Sequence, residues 1–443
     1  MRFIKQLYLT GRFFGVFAAF VLLFGISFGF NWLFPLLQLL LVVAIVVFLF
    51  DLILLYNSSV KIGAKRTTQF VLSLGSQNDI IIEVENKSAY AFDCNLVDEI
   101  PVQFQMRNFT YDFNILSKDH KIITYQLRPT SRGVYSFGKI HVYIKSKLGL
   151  GMRRMTIDAE LDIDVYPSII EMKQFELRAL PKILANTGLK KIRRIGQSYE
   201  FEQIKNYVAG DDFRNINWSA TGRKSSLMVN QYEDEKSQPI YSLIDNSRSM
   251  LMPFNGLSLL DYAVNSSLVI SNVALGKHDK AGLLTFSNKP NSGLRAEKGA
   301  KQLNRIILQL YNIIENPLEA NYELMYVQLR NLIKSRSLIF LYTNFESRYA
   351  LQRSLPVIRQ IAASHLLVVV IFENTEIYKF LEKDAENVEG IYEQSIAQKF
   401  MDEKVQIATE LQLAGIQTII TKPEDLTVNT VNKYLELKAR GMI

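Results

Sequence analysis

The sequence predicts a mixed α/β protein built from an N-terminal helical hairpin, an antiparallel β-sandwich and a doubly wound parallel sheet. Three observations lead to this prediction. The segment Phe13–Tyr56 carries almost no charge before Asp51, and short runs of period-two hydrophobicity follow it without helices between them. From Pro239 onward, apolar strands alternate with helical stretches. A chain of 443 residues has room for two or three domains.

The apolar segment is about twice as long as the roughly 20 residues that one membrane-spanning helix needs. Asn31-Trp32 and Pro35 interrupt it near its middle. We therefore predict two membrane helices, at about 13–30 and 33–54, in a hairpin that occupies residues 1–62. A cleaved signal peptide would have a shorter apolar core and a small-residue cleavage site, and neither is found here.

Basic residues on both sides of the hairpin favour a cytoplasmic location for both of its ends. We therefore expect an inner (cytoplasmic) membrane protein that contacts the lipid bilayer and whose soluble domains face the cytoplasm. Cys94 is the single cysteine, which agrees with a reducing compartment. The net charge of +8 is modest, and the basic run Lys190–Arg194 is interpreted as a solvated linker. We expect no nucleic-acid partner, because no base-reading or aromatic-stacking module accompanies this charge.

Residues 67–168 have the pattern of an antiparallel β-sandwich. Short strands recur at roughly ten-residue spacing with turn residues between them, which is typical of immunoglobulin-like and fibronectin-like domains. His120 and His141 lack metal-ligand spacing to each other and to Cys94. We therefore expect no catalytic chemistry in this domain.

Residues 169–238 form a polar, basic connector, and residues 239–443 form the predicted parallel-sheet domain. Its strands are predicted where short apolar runs alternate with helical periodicity. They are Ile240–Asp245, Ala281–Phe286, Leu338–Thr343, Leu366–Phe372 and Gln417–Thr421.

The first of these strands ends in the motif Asp245-x-Ser247-x-Ser249. One carboxylate and two hydroxyls are thereby placed on a turn at the carboxyl end of a parallel sheet, where ligands commonly bind. Hard oxygen donors of this kind suit Mg²⁺ or Mn²⁺. The alternative is that Ser247 or Ser249 caps the following helix.

The connector contains a second cluster of motif residues. Gly210-Asp211-Asp212 predicts a turn with helix-capping acids, and Arg214 or Arg223 could clamp a carboxylate. The alternative is a charged turn packed under the Asp245 strand. The full set of signature residues is Glu200, Phe201, Gly210, Asp211, Asp212, Arg214, Asn217, Trp218 and Arg223.

Together, these motifs resemble the prokaryotic family labelled domain of unknown function 58, whose members carry a von Willebrand factor A-like domain. The resemblance implies that Asp245, Ser247 and Ser249 form the first loop of a metal-ion-dependent adhesion site. Asn344 then stands where such a site has an acid, and its carbonyl oxygen is the remaining predicted metal ligand. The second loop, at Glu319–Tyr322, has no Thr. Fewer charged ligands weaken the binding of a hard dication.

The leading prediction is a membrane-anchored protein-interaction module, not an enzyme. The sequence has no phosphate-binding loop, no Gly-x-Ser-x-Gly elbow and no His-Glu-x-x-His motif. The family resemblance implies a MoxR-type AAA+ ATPase and other A-domain membrane proteins as partners, in a chaperone-like role. Two alternatives stay open: an extracytoplasmic adhesion receptor of opposite topology, and a metal-dependent hydrolase that uses Asp211, Asp212 and Asp245.

Overall fold

The chain is described here from a computed structural model that covers 6–30, 32–57, 59–107, 109–173, 200–209, 211–233, 237–289, 293–382 and 387–443. It divides into two units, Met1–Ser168 and Ile169–Ile443. The architecture is mixed α/β, with many antiparallel strands in the first unit. The finer predicted division into 1–62, 67–168, 169–238 and 239–443 stays a prediction.

The first unit begins with a short strand, Leu7–Leu9, and two apolar helices, Gly11–Ser27 and Leu33–Tyr56. Thr10 caps the first helix by accepting a hydrogen bond from the Phe13 N–H. Among the helices of the described residues, only Leu33–Tyr56, with 24 residues, is long and apolar enough to cross a membrane. This helix suits a membrane anchor, and the helix before it is shorter than a typical span.

The described strands of the first unit, Leu7–Leu9 included, form three small sheets. Their core alternates along each strand, so that Ile80, Ile82 and Val84 are buried while the residues between them are more exposed. Neighbouring strands are antiparallel except for Val71–Ser73 with Leu161–Tyr166. The sheet orders are Leu7–Leu9, Gly151–Ile157, Ile140–Lys145, Phe92–Asp98, Thr110–Ile115; Val71–Ser73, Leu161–Tyr166, Gly133–Phe137; and Ile62–Thr67, Asn78–Asn86, His120–Leu127.

The second unit contains a six-stranded sheet. The central strand Pro239–Asp245 pairs in parallel with its neighbours on both sides. The edge strand Gly293–Glu297, which the sequence patterns do not predict, pairs antiparallel with the strand beside it. The strand order is Gly293–Glu297, Lys280–Phe286, Pro239–Asp245, Leu338–Tyr342, Leu366–Phe372 and Gln417–Thr421.

Helices cover both faces of this sheet, because its central strands are apolar on both faces. Ile240 and Ile244 belong to one hydrophobic core, whereas Tyr241 and Leu243 belong to the other. The helices of the described second unit are Trp218–Lys224, Leu259–Gly276, Ala300–Tyr311, Tyr322–Leu332, Arg348–Ser364, Thr375–Leu381, Val388–Leu413 and Leu426–Ala439.

The register of the central strands determines which residues meet at the predicted metal site after Asp245. Ile244 lies opposite Tyr342 in the parallel pair, so the residues that follow both strands meet at one end of the sheet. The predicted strand Leu338–Thr343 ends one residue early, which leaves Thr343 on the turn. We call this end of the sheet the Asp245 edge, defined by Asp245, Ser247, Ser249, Thr343 and Asn344.

Candidate functional site

Asp245 is the centre of the Asp245 edge, and its side chain is fully buried. Its Oδ1 accepts a hydrogen bond from the Ser247 N–H at 2.9 Å. Its Oδ2 accepts from the Thr343 hydroxyl at 2.7 Å, and the Tyr322 hydroxyl lies 2.8 Å from that Thr343 oxygen. Both oxygens of the carboxylate therefore have protein partners, as a buried carboxylate requires.

The two serine hydroxyls of the motif face each other. Ser247 Oγ and Ser249 Oγ are 3.2 Å apart. Ser247 precedes a short 3₁₀ turn, but its side chain makes no cap hydrogen bond there. Ser258 caps the next α-helix, Leu259–Gly276. The helix-cap alternative therefore does not account for these hydroxyls, which are left to bind each other and Asp245.

Asn344 has both ends of its amide engaged. Its Nδ2 donates to the Ser249 carbonyl oxygen at 3.0 Å. Its Oδ1 accepts from the Lys404 ammonium at 2.6 Å, and the same ammonium donates to the Phe345 carbonyl oxygen at 2.5 Å. Lys404 comes from the helix Val388–Leu413, far away in the sequence. A cation of the chain itself therefore binds the oxygen that was predicted to bind a metal ion.

Burial controls the protonation of both charged groups. It raises the pKa of Asp245, while the hydrogen bonds from Ser247, Thr343 and Ser249 act in the opposite direction. Burial lowers the pKa of Lys404 to about 8, against the raising effect of the nearby carboxylates Glu346 and Glu403. Lys404 therefore stays mostly protonated at neutral pH.

Exposed charged residues surround the Asp245 edge. The Arg248 guanidinium lies 3.6 Å from a Glu319 carboxylate oxygen and 3.5 Å from one of Glu346. Arg353 lies 3.5 Å from the other Glu319 oxygen. We call these four residues the rim. Exposed pairs of this kind contribute little to stability but can orient an approaching partner.

The donor set does not fit a tightly bound Mg²⁺ or Mn²⁺ ion. It has one carboxylate, Asp245, whose two oxygens already accept hydrogen bonds. The Asn344 oxygen already binds the Lys404 ammonium, so a dication that shared this oxygen would lie beside a positive charge. Among the described residues, no group of three or more His, Cys, Asp and Glu is arranged to hold a metal ion.

The signature residues of the connector have local roles. Asp211 Oδ1 accepts from the Lys205 ammonium at 2.8 Å, and Asp212 caps the 3₁₀ turn Phe213–Asn215. Asn217 caps the helix Trp218–Lys224 and donates to Asn230 at 2.8 Å. Asp211 and Asp212, two of the three acids in the hydrolase alternative, thus bind a lysine and cap a 3₁₀ turn.

The remaining signature residues lie on the surface or outside the described part. Arg214, Trp218 and Arg223 are exposed, and the role of either arginine as a carboxylate clamp stays a prediction. Glu200 and Phe201 lie on the strand Glu200–Asn206, and of these two residues the structure describes only the backbone. Gly210 and the segment 174–199 lie outside the described residues.

The sequence analysis missed Lys404 and the surface that leads to it. Four apolar residues, spaced four apart on the helix Val388–Leu413, are exposed by 83%, 69%, 40% and 51%. We call them the apolar stripe: Val388, Tyr392, Ile396 and Phe400. Lys404 is the next residue in this series. The spacing is visible in the sequence, because residues four apart are neighbours on a helix. Each step of four turns by about 40° around the helix axis, so the series winds from the exposed Val388 to the partly buried Lys404.

Comparisons with known proteins support the family resemblance. Residues 203–377 match the family described as "Protein of unknown function DUF58", which confirms the family predicted from the motifs. A curated relative, "Uncharacterized protein YeaD" of Bacillus subtilis (strain 168), is 24% identical over 127 residues. That match covers 29% of this chain and 31% of the relative, so the chain spans about a third of the relative's length.

Several solved structures are similar to parts of the chain. The CARDB domain of the PF1109 protein from Pyrococcus furiosus has 13% identity and a TM-score of 0.18, covering 24% of this chain and 90% of that one. The PapD-like domain 7 of human CEP192 has 13% identity and a TM-score of 0.20, covering 25% and 87%. Proximal thread matrix protein 1 of the mussel byssus has 12% identity and a TM-score of 0.25, covering 44% and 46%.

Proposed function

We propose that this chain, whose residues 203–377 match the DUF58 family, is a membrane-anchored module that presents the Asp245 edge to a protein partner. The observation that carries the proposal is the pair of hydroxyls of Ser247 and Ser249 beside a buried carboxylate and inside a charged rim; Ser247 is buried, so Ser249 and the rim are the parts open to a partner. Polar groups that are fixed in place at a sheet end form a recognition surface. They include no nucleophile paired with a general base, so we propose binding rather than catalysis.

The fold of the second unit supports a von Willebrand factor A-like assignment. Five parallel strands with one antiparallel edge strand, helices on both faces and an Asp-x-Ser-x-Ser turn after the central strand fit such a domain. The Asp245 edge is then an adhesion site whose second and third loops have diverged, with no Thr in Glu319–Tyr322 and Asn344 in place of an acid.

The apolar stripe supports a protein rather than a small-molecule ligand. Isolated exposed apolar residues are ordinary, but these four follow one another along the same helix, each within reach of the next, and we propose that together they belong to the interaction surface. The same helix carries Lys404, whose ammonium binds Asn344. A partner that covers the Asp245 edge can therefore extend along the stripe.

Contacts within the first unit support a two-helix membrane hairpin. The strand Leu7–Leu9 leads into the first helix and pairs with Gly151–Ile157. Near the end of the second helix, Asp51 accepts hydrogen bonds from the N–H groups of Leu150 and Gly151. Because both ends of the helical pair meet the same hairpin of strands, both helices would cross the bilayer and return to one side. The basic flanks favour the cytoplasmic side.

The family resemblance suggests the partner. A MoxR-type AAA+ ATPase would supply the energy of nucleotide hydrolysis in trans, since this chain has no phosphate-binding loop. Other A-domain membrane proteins would complete the assembly at the inner membrane. The proposed role is chaperone-like, with this chain as the anchored docking component.

Affinity capture from membranes tests the proposal. Tagged wild-type protein, the double variant Ser247→Ala/Ser249→Ala and the control Ser335→Ala would be purified under nucleotide-trapping conditions, and captured proteins would be identified by mass spectrometry. Ser335 is exposed at the amino end of a strand, away from the Asp245 edge. We expect an AAA+ ATPase with the wild type and the control, and its loss with the double variant. Equal capture by all three, or no ATPase at all, would contradict the proposal.

Orientation is tested separately by reporter fusions at the C-terminus. Activity of a cytoplasmic reporter is expected. Activity of a periplasmic reporter alone would replace the proposal with the extracytoplasmic adhesion receptor.

A further inference from the structure

We infer that Lys404 supplies the positive charge that a divalent cation brings to an adhesion site, so that the Asp245 edge binds an acidic side chain of its partner without a metal ion. This inference rests on the proposed function, which identifies the Asp245 edge as the surface that binds the partner. The effect of Lys404 on metal binding can be measured on this protein without any partner.

The first argument is the hydrogen bonding of the Lys404 ammonium. An ammonium has three N–H donors. Two of them bind the neutral oxygens of Asn344 and Phe345, at 2.6 and 2.5 Å. Within the described part of the chain, no carboxylate lies within ion-pair distance of Lys404, and Glu346 and Glu403 act on it only from farther away. The charge is therefore not neutralised locally, and one donor is left for a ligand.

The second argument is that the ammonium is held in place. Its helix, Val388–Leu413, is fixed on the sheet by Ala397, Ile407, Ala408 and Leu411, all buried. Asn344 is fixed in turn by its hydrogen bond to the Ser249 carbonyl. A hydrogen-bonded chain therefore runs from Lys404 through Asn344 to the turn that carries both serine hydroxyls. Donors fixed in this way favour a carboxylate ligand, because little order is lost when it binds.

The third argument is the chemistry that the site lacks for a metal ion. A hard dication favours several anionic oxygens, and the edge offers one carboxylate, Asp245, whose oxygens are both engaged. A metal that bound the Asn344 oxygen would lie beside the Lys404 ammonium. Asn344 stands where an adhesion site has an acid, and the Lys404 ammonium binds its side-chain oxygen. The two residues together therefore place a lysine charge where a metal ion would otherwise bind.

Mn²⁺ binding to the full-length protein in detergent, followed by electron paramagnetic resonance, tests the inference. The variant Asn344→Asp/Lys404→Met restores a carboxylate and removes the ammonium. The matched control Asn344→Asp/Lys399→Met restores the same carboxylate but removes an exposed lysine of the same helix. We expect no saturable binding by the wild type. The first variant should bind Mn²⁺ at least about tenfold more tightly than the control.

Saturable Mn²⁺ binding by the wild type that Ser247→Ala/Ser249→Ala abolishes would overturn the inference. So would equal affinity of the two double variants, provided that both melt as cooperatively as the wild type. If Lys404→Met prevents folding, Lys404→Gln takes its place, since it keeps a neutral hydrogen-bond donor at the same position.

Partner capture provides the second measurement. Capture is compared at one fixed Mg²⁺ concentration, because the ATPase needs Mg²⁺ to bind its nucleotide. It should be lost with Lys404→Met and kept with Lys399→Met. Equal capture by these two variants would overturn the inference. If the wild type captures no partner, the proposed function fails, and the Mn²⁺ measurement still decides whether the internal cation replaces a metal.

Discussion

Asp51 in the first unit and Asp245 in the second are both fully buried aspartates, yet they serve different purposes. Asp51 accepts hydrogen bonds from the N–H groups of Leu150 and Gly151, at 3.1 and 2.9 Å, and from the Ser146 hydroxyl. These partners are about a hundred residues away in the sequence. Asp51 thereby fastens the apolar helix Leu33–Tyr56 to a hairpin of strands.

Asp245 obtains its backbone hydrogen bond from Ser247, only two residues away. Its second oxygen binds Thr343 on the neighbouring turn, and two hydroxyls remain on the loop above it. The two aspartates differ in their backbone hydrogen bonds, because Thr343 is as distant from Asp245 in the sequence as the partners of Asp51 are from Asp51. The backbone N–H groups that bind Asp51 belong to a distant hairpin of strands, whereas the one that binds Asp245 belongs to the same loop. We therefore expect loss of stability from changes at Asp51 and loss of binding from changes at Asp245.

The largest predicted effect is that of Asp51→Ala on stability. The substitution leaves two buried N–H groups and a hydroxyl without an acceptor, so we expect the first unit to lose about 4 kcal/mol. Hydrogen exchange of the segment 146–151 in detergent-solubilised protein measures the change, with Asp51→Asn as the milder control. Unchanged protection of segment 146–151 from hydrogen exchange would show that Asp51 does not hold the helix Leu33–Tyr56 to this hairpin of strands.

The same substitution at Asp245 should act mainly on binding. Thr343 can keep its contact with the Tyr322 hydroxyl, and the serine hydroxyls can keep theirs with each other. Asp245→Ala therefore leaves the Ser247 N–H as the backbone donor that loses its acceptor and should cost about 1–2 kcal/mol. We expect capture of the partner to fall at least tenfold. The folded fraction of Asp51→Ala should still capture it. If both variants lose capture in proportion to their loss of stability, the contrast between the two aspartates disappears.

The rim should change binding kinetics without changing stability. Arg248 and Arg305 are matched, since each makes exposed ion pairs and their side chains are 56% and 57% exposed. Replacing either by Ala should alter unfolding by no more than about 0.5–1 kcal/mol. Only Arg248→Ala should slow partner association, several-fold and most strongly at low salt. Equal association rates for the two variants would exclude the rim from the interface.

Glu171 provides the smallest predicted effect and a pH test. It lies half-buried beside Thr427, and burial raises its pKa above the ordinary value of 4.5. The folded state therefore keeps a proton that the unfolded state releases, so ionisation of Glu171 reduces stability as the pH rises above about 4.5. Glu171→Gln should be progressively more stable than wild type over this range, by less than about 1 kcal/mol. A melting-temperature difference that is constant with pH would contradict this assignment.

The predictable part of the structure follows from periodicity. Four of the five predicted strands of the second unit are present because their apolar runs are buried on both faces, and the turn after Asp245 lies where strand direction requires. Gln417–Thr421 lies at an edge of the sheet and is predicted from its short apolar run, although Ile420 is exposed. Gly293–Glu297, at the other edge, escaped prediction because none of its residues is buried and its sequence has no apolar run. Lys404 escaped it because a lysine on a helix ordinarily faces water. Only the pairing of Val388–Leu413 with the turn after Leu338–Tyr342 brings this ammonium to Asn344.

In-cell photo-crosslinking tests the central claim most directly. A photoreactive amino acid would replace Glu346 at the carboxyl end of the sheet or Arg336 at its amino end, both exposed positions flanking the same strand. We predict a discrete crosslinked product from position 346 that contains the AAA+ partner, and none from position 336. Crosslinking from position 336 alone, or equally from both, would contradict the assignment of the Asp245 edge as the partner-binding surface.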